Sequence, residues 1–204
     1  MAKKESYLKL ICENNYGVGS HRKLSDIEMR TSRYYDEVMA VYKRLGGILS
    51  EIPLRVGPYD IDTHNFIIEF DEENHFNRYR LSTLESSLYT DNRNIPINDY
   101  KKYCKHYEDR CCTHGKYACN DSTDKQFGKS LIDGDLSGVN RSRWKQRAFY
   151  DFIKDITSII TGIPIIRISI YDRYKGYTIE ELVHRKNKSL LIEYIDNRLQ
   201  DLEF

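Results

Sequence analysis

The segment Tyr59-Asp60-Ile61-Asp62-Thr63-His64-Asn65-Phe66-Ile67-Ile68-Glu69-Phe70-Asp71 constrains this chain more than any other. Asp60 and Asp62 flank Ile61, so their carboxylates share one face of a short strand, and Glu69 and Asp71 do the same around Phe70. His64-Asn65 between them suits a tight turn. The hairpin therefore gathers four carboxylates at one place. Like charges so close repel unless a cation lies among them, and an all-oxygen donor set suits Mg²⁺, with Mn²⁺ as a substitute. The plain alternative is an exposed acidic hairpin. Against it, Phe66-Ile67-Ile68 gives the second strand a buried character, and buried carboxylates need partners. An ion held by Asp60 or Asp62 with Glu69 and Asp71 would polarise a phosphate and activate a water for in-line attack.

The chain is long enough, at 204 residues, for one domain with a core, or for a domain carrying a large insertion. An apolar content of 40% and a charged content of 31% fit a soluble globular protein. No apolar run approaches a membrane span, and Met1-Ala2-Lys3-Lys4-Glu5 lacks the apolar centre of a signal peptide, so the expected location is the cytoplasm. A net charge of +1 excludes a strongly basic nucleic-acid binder in bulk but leaves room for patches. No G-x-x-x-x-G-K-[ST] occurs, which argues against use of ATP.

The periodicities give a coarse order. Thr31 to Leu45 reads as an amphipathic helix stopped by Gly46-Gly47, and Ile48 to Val56 as a first strand interrupted by Pro53. The acidic hairpin follows, then a polar stretch with helix around Leu81 to Tyr89. Gly128 to Gly138 is turn-rich. Ser142 starts a helix to about Ile160, with Trp144, Ala148, Phe149, Phe152, Ile153 and Ile156 on its apolar face and Gly162 at its end. Ile163 to Tyr171 reads as a buried strand, and two helices follow over Ile179–His184 and Ser189–Leu202. This order predicts one α/β domain with a mixed β-sheet flanked by helices. The core covers residues 31–76 and 142–172, with an insertion over 77–141 and a helical tail over 176–204.

Asp-x-Asp, a short turn, then Ile67-Ile68-Glu69-Phe70-Asp71 resembles the PD-(D/E)xK nuclease superfamily of restriction and repair enzymes. Pro58-Tyr59-Asp60 echoes its "PD" half with one extra residue, and Glu69-Phe70-Asp71 carries Asp where the pattern has Lys. Ile68-Glu69-Phe70-Asp71 with His75 nearby is more similar to the very-short-patch-repair-like branch, although Glu72 replaces that branch's glycine. Gln146-Arg147-Ala148-Phe149-Tyr150 fits the QxxxY helix motif of the exonuclease-like branch, with Gln146 and Tyr150 on one helix face. The resemblance implies a restriction-endonuclease-like core. It also implies Mg²⁺ on Asp60 or Asp62, Glu69 and Asp71, with Lys145, Gln146 or His75 replacing the missing lysine. Glu37 on the first helix is a further candidate acid.

Two further clusters stand out. Cys104, His106, Cys111, Cys112, His114 and Cys119 place six soft ligands within sixteen residues, a candidate structural Zn²⁺ site with no standard finger spacing. The plain reading is a cysteine-tolerant loop with free thiols. Arg141, Arg143, Lys145 and Arg147 surround Trp144, and Arg141, Arg143 and Arg147 are candidate phosphate contacts on DNA. A solvated helix start is the plain reading there, although basic residues in a first turn gain nothing from the helix dipole.

The implied function is a type II restriction endonuclease: Mg²⁺-dependent hydrolysis of phosphodiester bonds in double-stranded DNA at a short specific sequence, by a homodimer whose symmetry matches a palindromic site. The alternatives are a nicking DNA-repair endonuclease and a non-catalytic, zinc-stabilised DNA-binding protein.

Overall fold

A computed structural model describes residues 3–52, 54, 56–90, 95–113, 121–130 and 141–201. Its central strand is the one the acidic pattern marks. β1 (Ile61–Asp62) pairs antiparallel with β2 (Ile67–Asp71), and β2 pairs parallel with β3 (Ile165–Ser169), giving the sheet order β1-β2-β3. The β1–β2 connection is the expected tight turn: Thr63 N donates to Phe66 O at 3.0 Å and the Thr63 hydroxyl to the same oxygen at 2.6 Å. Every residue of β2 and β3 is buried, as expected of strands covered on both faces. The polar members of these strands, Glu69, Asp71, Arg167 and Ser169, are therefore buried with them.

The chain begins in α1 (Lys3–Tyr16), which places Leu8, Ile11 and Cys12 in the core and sets the Tyr16 ring edge-on to Phe66 at 5.1 Å. The following loop runs along β1. Gly19 N donates to Asp62 O at 2.8 Å, and a Cβ on Gly19 would lie 1.8 Å from Thr63 O, so this approach admits only glycine. The expected Thr31–Leu45 helix is instead a pair. α2 (Asp26–Thr31) starts at a Ser25/Glu28 capping box, Ser32 turns extended with its hydroxyl on Met29 O, and α3 (Tyr35–Arg44) resumes. A serine that bonds its own preceding backbone ends a helix readily.

The expected strand over Ile48–Val56 does not form among the described residues, and Pro53 lies outside them. Its backbone donors find other partners: Ile48 N meets Gln126 O at 3.0 Å, Leu49 N the Tyr42 hydroxyl at 3.3 Å and Leu54 N the Asp26 carboxylate at 3.3 Å.

The insertion contains α4 (Arg78–Thr83), α5 (Ile97–His106), α6 (Glu108–Thr113) and α7 (Asp121–Phe127). α8 (Ser142–Thr161) then crosses back to β3, the helical return that a parallel strand pair requires. Its N-cap is Arg141 rather than Ser142, and Gly162 ends it in the left-handed region at φ 72°. A small hairpin of β4 (Arg173–Tyr174) and β5 (Tyr177–Thr178) turns through Lys175 and Gly176, both at positive φ. α9 (Ile179–His184) and α10 (Lys188–Gln200) close the chain, near the expected bounds. One continuous apolar cluster runs from Leu8 to Ile195 through Phe76, Tyr100, Phe152 and Ile168. The architecture is mixed α/β, with many helices around a small mixed sheet.

Candidate active site

The strand register decides between the two aspartates of the hairpin. Ile61 pairs with Ile68 and Asp62 with Ile67, so the next position outward sets Asp60 against Glu69. Asp60 Oδ2 accepts from Phe70 N at 2.9 Å, which fixes it beside β2. Asp62 is bound elsewhere: its carboxylate takes His21 N at 2.9 Å and His21 Nδ1 at 2.5 Å. The structure therefore brings Asp60 to Glu69 and gives Asp62 to the loop after α1.

Asp60 and Glu69 line an open cavity of about 470 Å³. Glu5 and Glu72 extend its acidic side, while Arg143, Arg147 and Lys154 of α8 form a basic one, with Tyr150 on the same helix face. Lys154 Nζ donates to Glu69 Oε2 at 2.6 Å. Glu69 Oε1 is buried and has no hydrogen-bond partner, a costly state for a carboxylate oxygen. Burial pushes the Glu69 carboxyl up to about 8; the Lys154 and Arg167 cations oppose the rise and the Asp60 charge adds to it. Lys154 moves the opposite way from what burial alone would give: desolvation disfavours its charge, but Glu69 and Asp60 hold the ammonium above its ordinary value.

Asp71, the residue in place of the expected lysine, belongs to a different unit. Its carboxylate binds Arg167 Nη1 at 2.6 Å, the Tyr100 hydroxyl at 2.7 Å and His75 Nδ1 at 3.0 Å. Arg167 is fully buried and also binds Asp155 and the Asp151 carbonyl, the latter at 3.1 Å. Arg80 meets the other side of Asp155 at 2.7 Å, and the Tyr89 hydroxyl joins it there. Burial works against the charge on Asp71, yet Arg167 and His75 outweigh it and hold the carboxyl well below its ordinary value. Asp71, His75 and Asp151 bring ligand atoms within 4.8 Å of one another, a spacing that suits a metal ion. The Arg167 guanidinium already supplies the cation there, so these residues form the base of the site rather than a second metal centre.

His75 links this base to the cavity. Its Nδ1 lies 2.9 Å from Asp151 Oδ2, and its Nε2 lies 2.9 Å from Arg147 Nη1. Burial disfavours the imidazolium, but Asp151 and Asp71 outweigh burial and Arg147 and push the ring up to about 9. An imidazolium would face Arg147 donor to donor. A neutral ring with its proton on Nδ1 would instead accept from Arg147 at Nε2, so protonating His75 and holding Arg147 at this distance oppose each other.

The other expected site residues are dispersed. Lys145 is buried, with Nζ over the Tyr79 ring and near Gly46, and burial lowers its pKa; it is not at the cavity. Gln146 is buried and accepts from Arg143 Nη1 at 2.8 Å, so it orients a cavity residue without lining the cavity itself. Its motif partner Tyr150 does line it. Arg141 is 2% exposed, which removes it from the surface where DNA would bind. Glu37 accepts from the Ser86 hydroxyl at 2.6 Å, away from the cavity. In the cysteine-rich insertion, Cys104 and Cys111 are buried free thiols and the His106 ring lies edge-on to Tyr107 at 4.7 Å. The side chains of Cys112, His114 and Cys119 lie outside the described residues.

Sequence reasoning passed over Lys154, Asp151 and Arg167. Lys154 had a signal: Arg143, Arg147 and Lys154 repeat at helical spacing along one face of a helix already recognised. Arg167, a charge in an apolar strand, was the second such signal.

No curated protein and no solved structure matches the chain. Residues 40–185, which carry β1, β2, the insertion, α8 and β3, match the family of unknown function DUF7255, and the chain belongs to that family.

Proposed function

We propose that this cavity is the active site of a divalent-metal-dependent phosphodiesterase that hydrolyses DNA. The observation that carries the reading is the convergence of Asp60, Glu69 and Lys154 on one cavity, with a buried Glu69 oxygen that has no partner. Asp60, just before β1, and Glu69 on β2 form an oxygen donor set suited to Mg²⁺, and a cation would meet the need of that orphaned oxygen. When bound, the ion supplies Lewis-acid polarisation of the phosphate and a more acidic water. Asp60 and Glu69 are the residues that hold it. Lys154, fixed by Glu69, stabilises negative charge developing on the phosphoryl oxygens, the role that the Asp71 position cannot fill. The lysine missing from β2 is thus replaced from α8, one helix turn beyond Tyr150.

The motif resemblance supports the finer reading, a homodimeric type II restriction endonuclease. The test is purified protein on supercoiled plasmid with Mg²⁺. Discrete linear fragments support restriction, and nicked circles support a repair-type enzyme. No cleavage in Mg²⁺ or Mn²⁺ removes the catalytic reading, and so does undiminished cleavage by Glu69→Gln or Asp60→Asn.

A further inference from the structure

From Ser142 to Ser158, α8 buries every residue except Arg143, Arg147, Tyr150 and Lys154. Helices at a protein surface ordinarily show a broad polar face. Here the open face is one stripe at spacings of four, three and four residues, all of it lining the cavity, and three of its four side chains are cationic. Each cation is oriented by a separate group: Arg143 by Gln146 Oε1 at 2.8 Å, Arg147 by His75 Nε2 at 2.9 Å and Lys154 by Glu69 Oε2 at 2.6 Å. A guanidinium carries its donors in a rigid fork, so one such bond sets the plane in which the others point.

We propose that a single DNA strand lies along this stripe, with the scissile phosphate at Lys154 and the phosphates on one side of it gripped by Arg147 and then Arg143. This rests on the phosphodiesterase reading for the position of the cut, and on the helix alone for the track. A site for one phosphate group would point its cations at one spot. These instead stand in line, with Arg143 and Arg147 about 6 Å apart along the axis and the whole stripe about 16 Å long, the span of several nucleotides of one strand. Glu5 and Glu72 also line the cavity, and their charges disfavour the backbone on their part of it, which favours a path along α8. Because Lys154 is the last cation of the row, the protein grips one side of the cut more strongly than the other.

The test is the binding of a labelled DNA duplex in EDTA, where no cleavage intervenes, across a range of salt. Arg143→Gln and Arg147→Gln should each weaken binding several-fold and lower the slope of log K against log salt by about 1, and the double variant by about 2. Arg143→Lys and Arg147→Lys, which keep the charge, should keep the slope. Lys102→Gln, at an exposed lysine of α5, should leave both quantities unchanged. The proposal fails if the glutamine variants bind with unchanged slope while folded by circular dichroism, or if Lys102→Gln costs as much as they do. Equal slopes on an RNA duplex would assign the track to phosphate chains in general and overturn its restriction to DNA. Reduced slopes without any cleavage by the wild type keep the track and remove the phosphodiesterase. Cleavage with unchanged slopes does the reverse.

Discussion

Lys154 Nζ lies 2.6 Å from Glu69 Oε2 and joins α8 to the central strand across 85 residues of sequence. Their side chains are 13% and 2% exposed, so either charge alone would be buried without its counterpart. Breaking such a pair from one side costs about 3–5 kcal/mol, whereas removing both charges costs much less. Lys154→Met should therefore destabilise the protein most where the wild-type Glu69 is ionised, by up to about 3 kcal/mol in urea denaturation at pH 9. Adding Glu69→Gln should recover more than about 1 kcal/mol of that loss. Strictly additive losses in the double-mutant cycle would show that the two groups do not interact.

The pH dependence of stability follows from the same carboxylate. Burial, with Asp60 contributing, places the folded Glu69 pKa at about 8, above the ordinary 4.5. Between those values the folded state keeps a proton that the unfolded chain has lost. The stabilisation is complete below about 4.5 and disappears as pH rises through about 8. The difference in melting temperature between wild type and Glu69→Gln should change steadily from pH 5 to pH 8, with the wild type losing ground. Mg²⁺ should restore the wild type at the alkaline end and leave the variant unaffected. A difference that is flat with pH would mean that Glu69 ionises normally.

Arg167 acts as the cation beneath the cavity, shared by Asp71, Asp151 and Asp155. Arg167→Met leaves these carboxylates buried without their counter-charge, and a loss of at least about 3 kcal/mol is expected. Arg167→Lys keeps the charge but not the planar fork, so it should recover only part of that loss. The loss should shrink on acidification, because Asp71 is held well below its ordinary value by Arg167 and His75, and protonating it removes the need for a partner. Arg167→Lys as stable as the wild type would mean that charge alone, without the fork, holds this base together.

The parts of the structure that were legible in advance are those written as local periodicity. The β1–β2 turn, α8 with Gly162 behind it, β3 and the last two helices all follow from apolar spacing and stop residues. The Ile48–Val56 strand was misjudged because its apolar run resembles a strand while its backbone donors are met by Gln126 O, the Tyr42 hydroxyl and Asp26. At the site, Glu69 was identifiable from alternation in one strand. Choosing Asp60 over Asp62 needed the register, which moves by a whole face when it slips by one residue. Lys154 shares the helical spacing of Arg143 and Arg147, a signal that does not by itself mark a site. A lysine late in an amphipathic helix ordinarily marks a solvated face, and only the burial of nearly everything around it turns that face into a cavity wall.

The cysteines of the insertion give a prediction independent of the cavity. Burial pushes the Cys104 thiol up to about 12 and Cys12 likewise to about 12, and Cys111 accepts from Asn77 Nδ2 at 3.5 Å while its own S–H faces Asn74 O at 3.7 Å. In these surroundings the thiols act as small apolar or weak donor groups. In the folded protein at pH 8, Cys12, Cys104 and Cys111 should not react with a disulfide reagent on the timescale on which an exposed thiol does. In denaturant all five cysteines of the chain should react. Prior treatment with EDTA should leave the slow reaction of Cys104 and Cys111 unchanged, as expected of thiols protected by burial. Rapid labelling of Cys104 or Cys111 after chelation, mapped by mass spectrometry, would instead identify them as ligands of a removable metal.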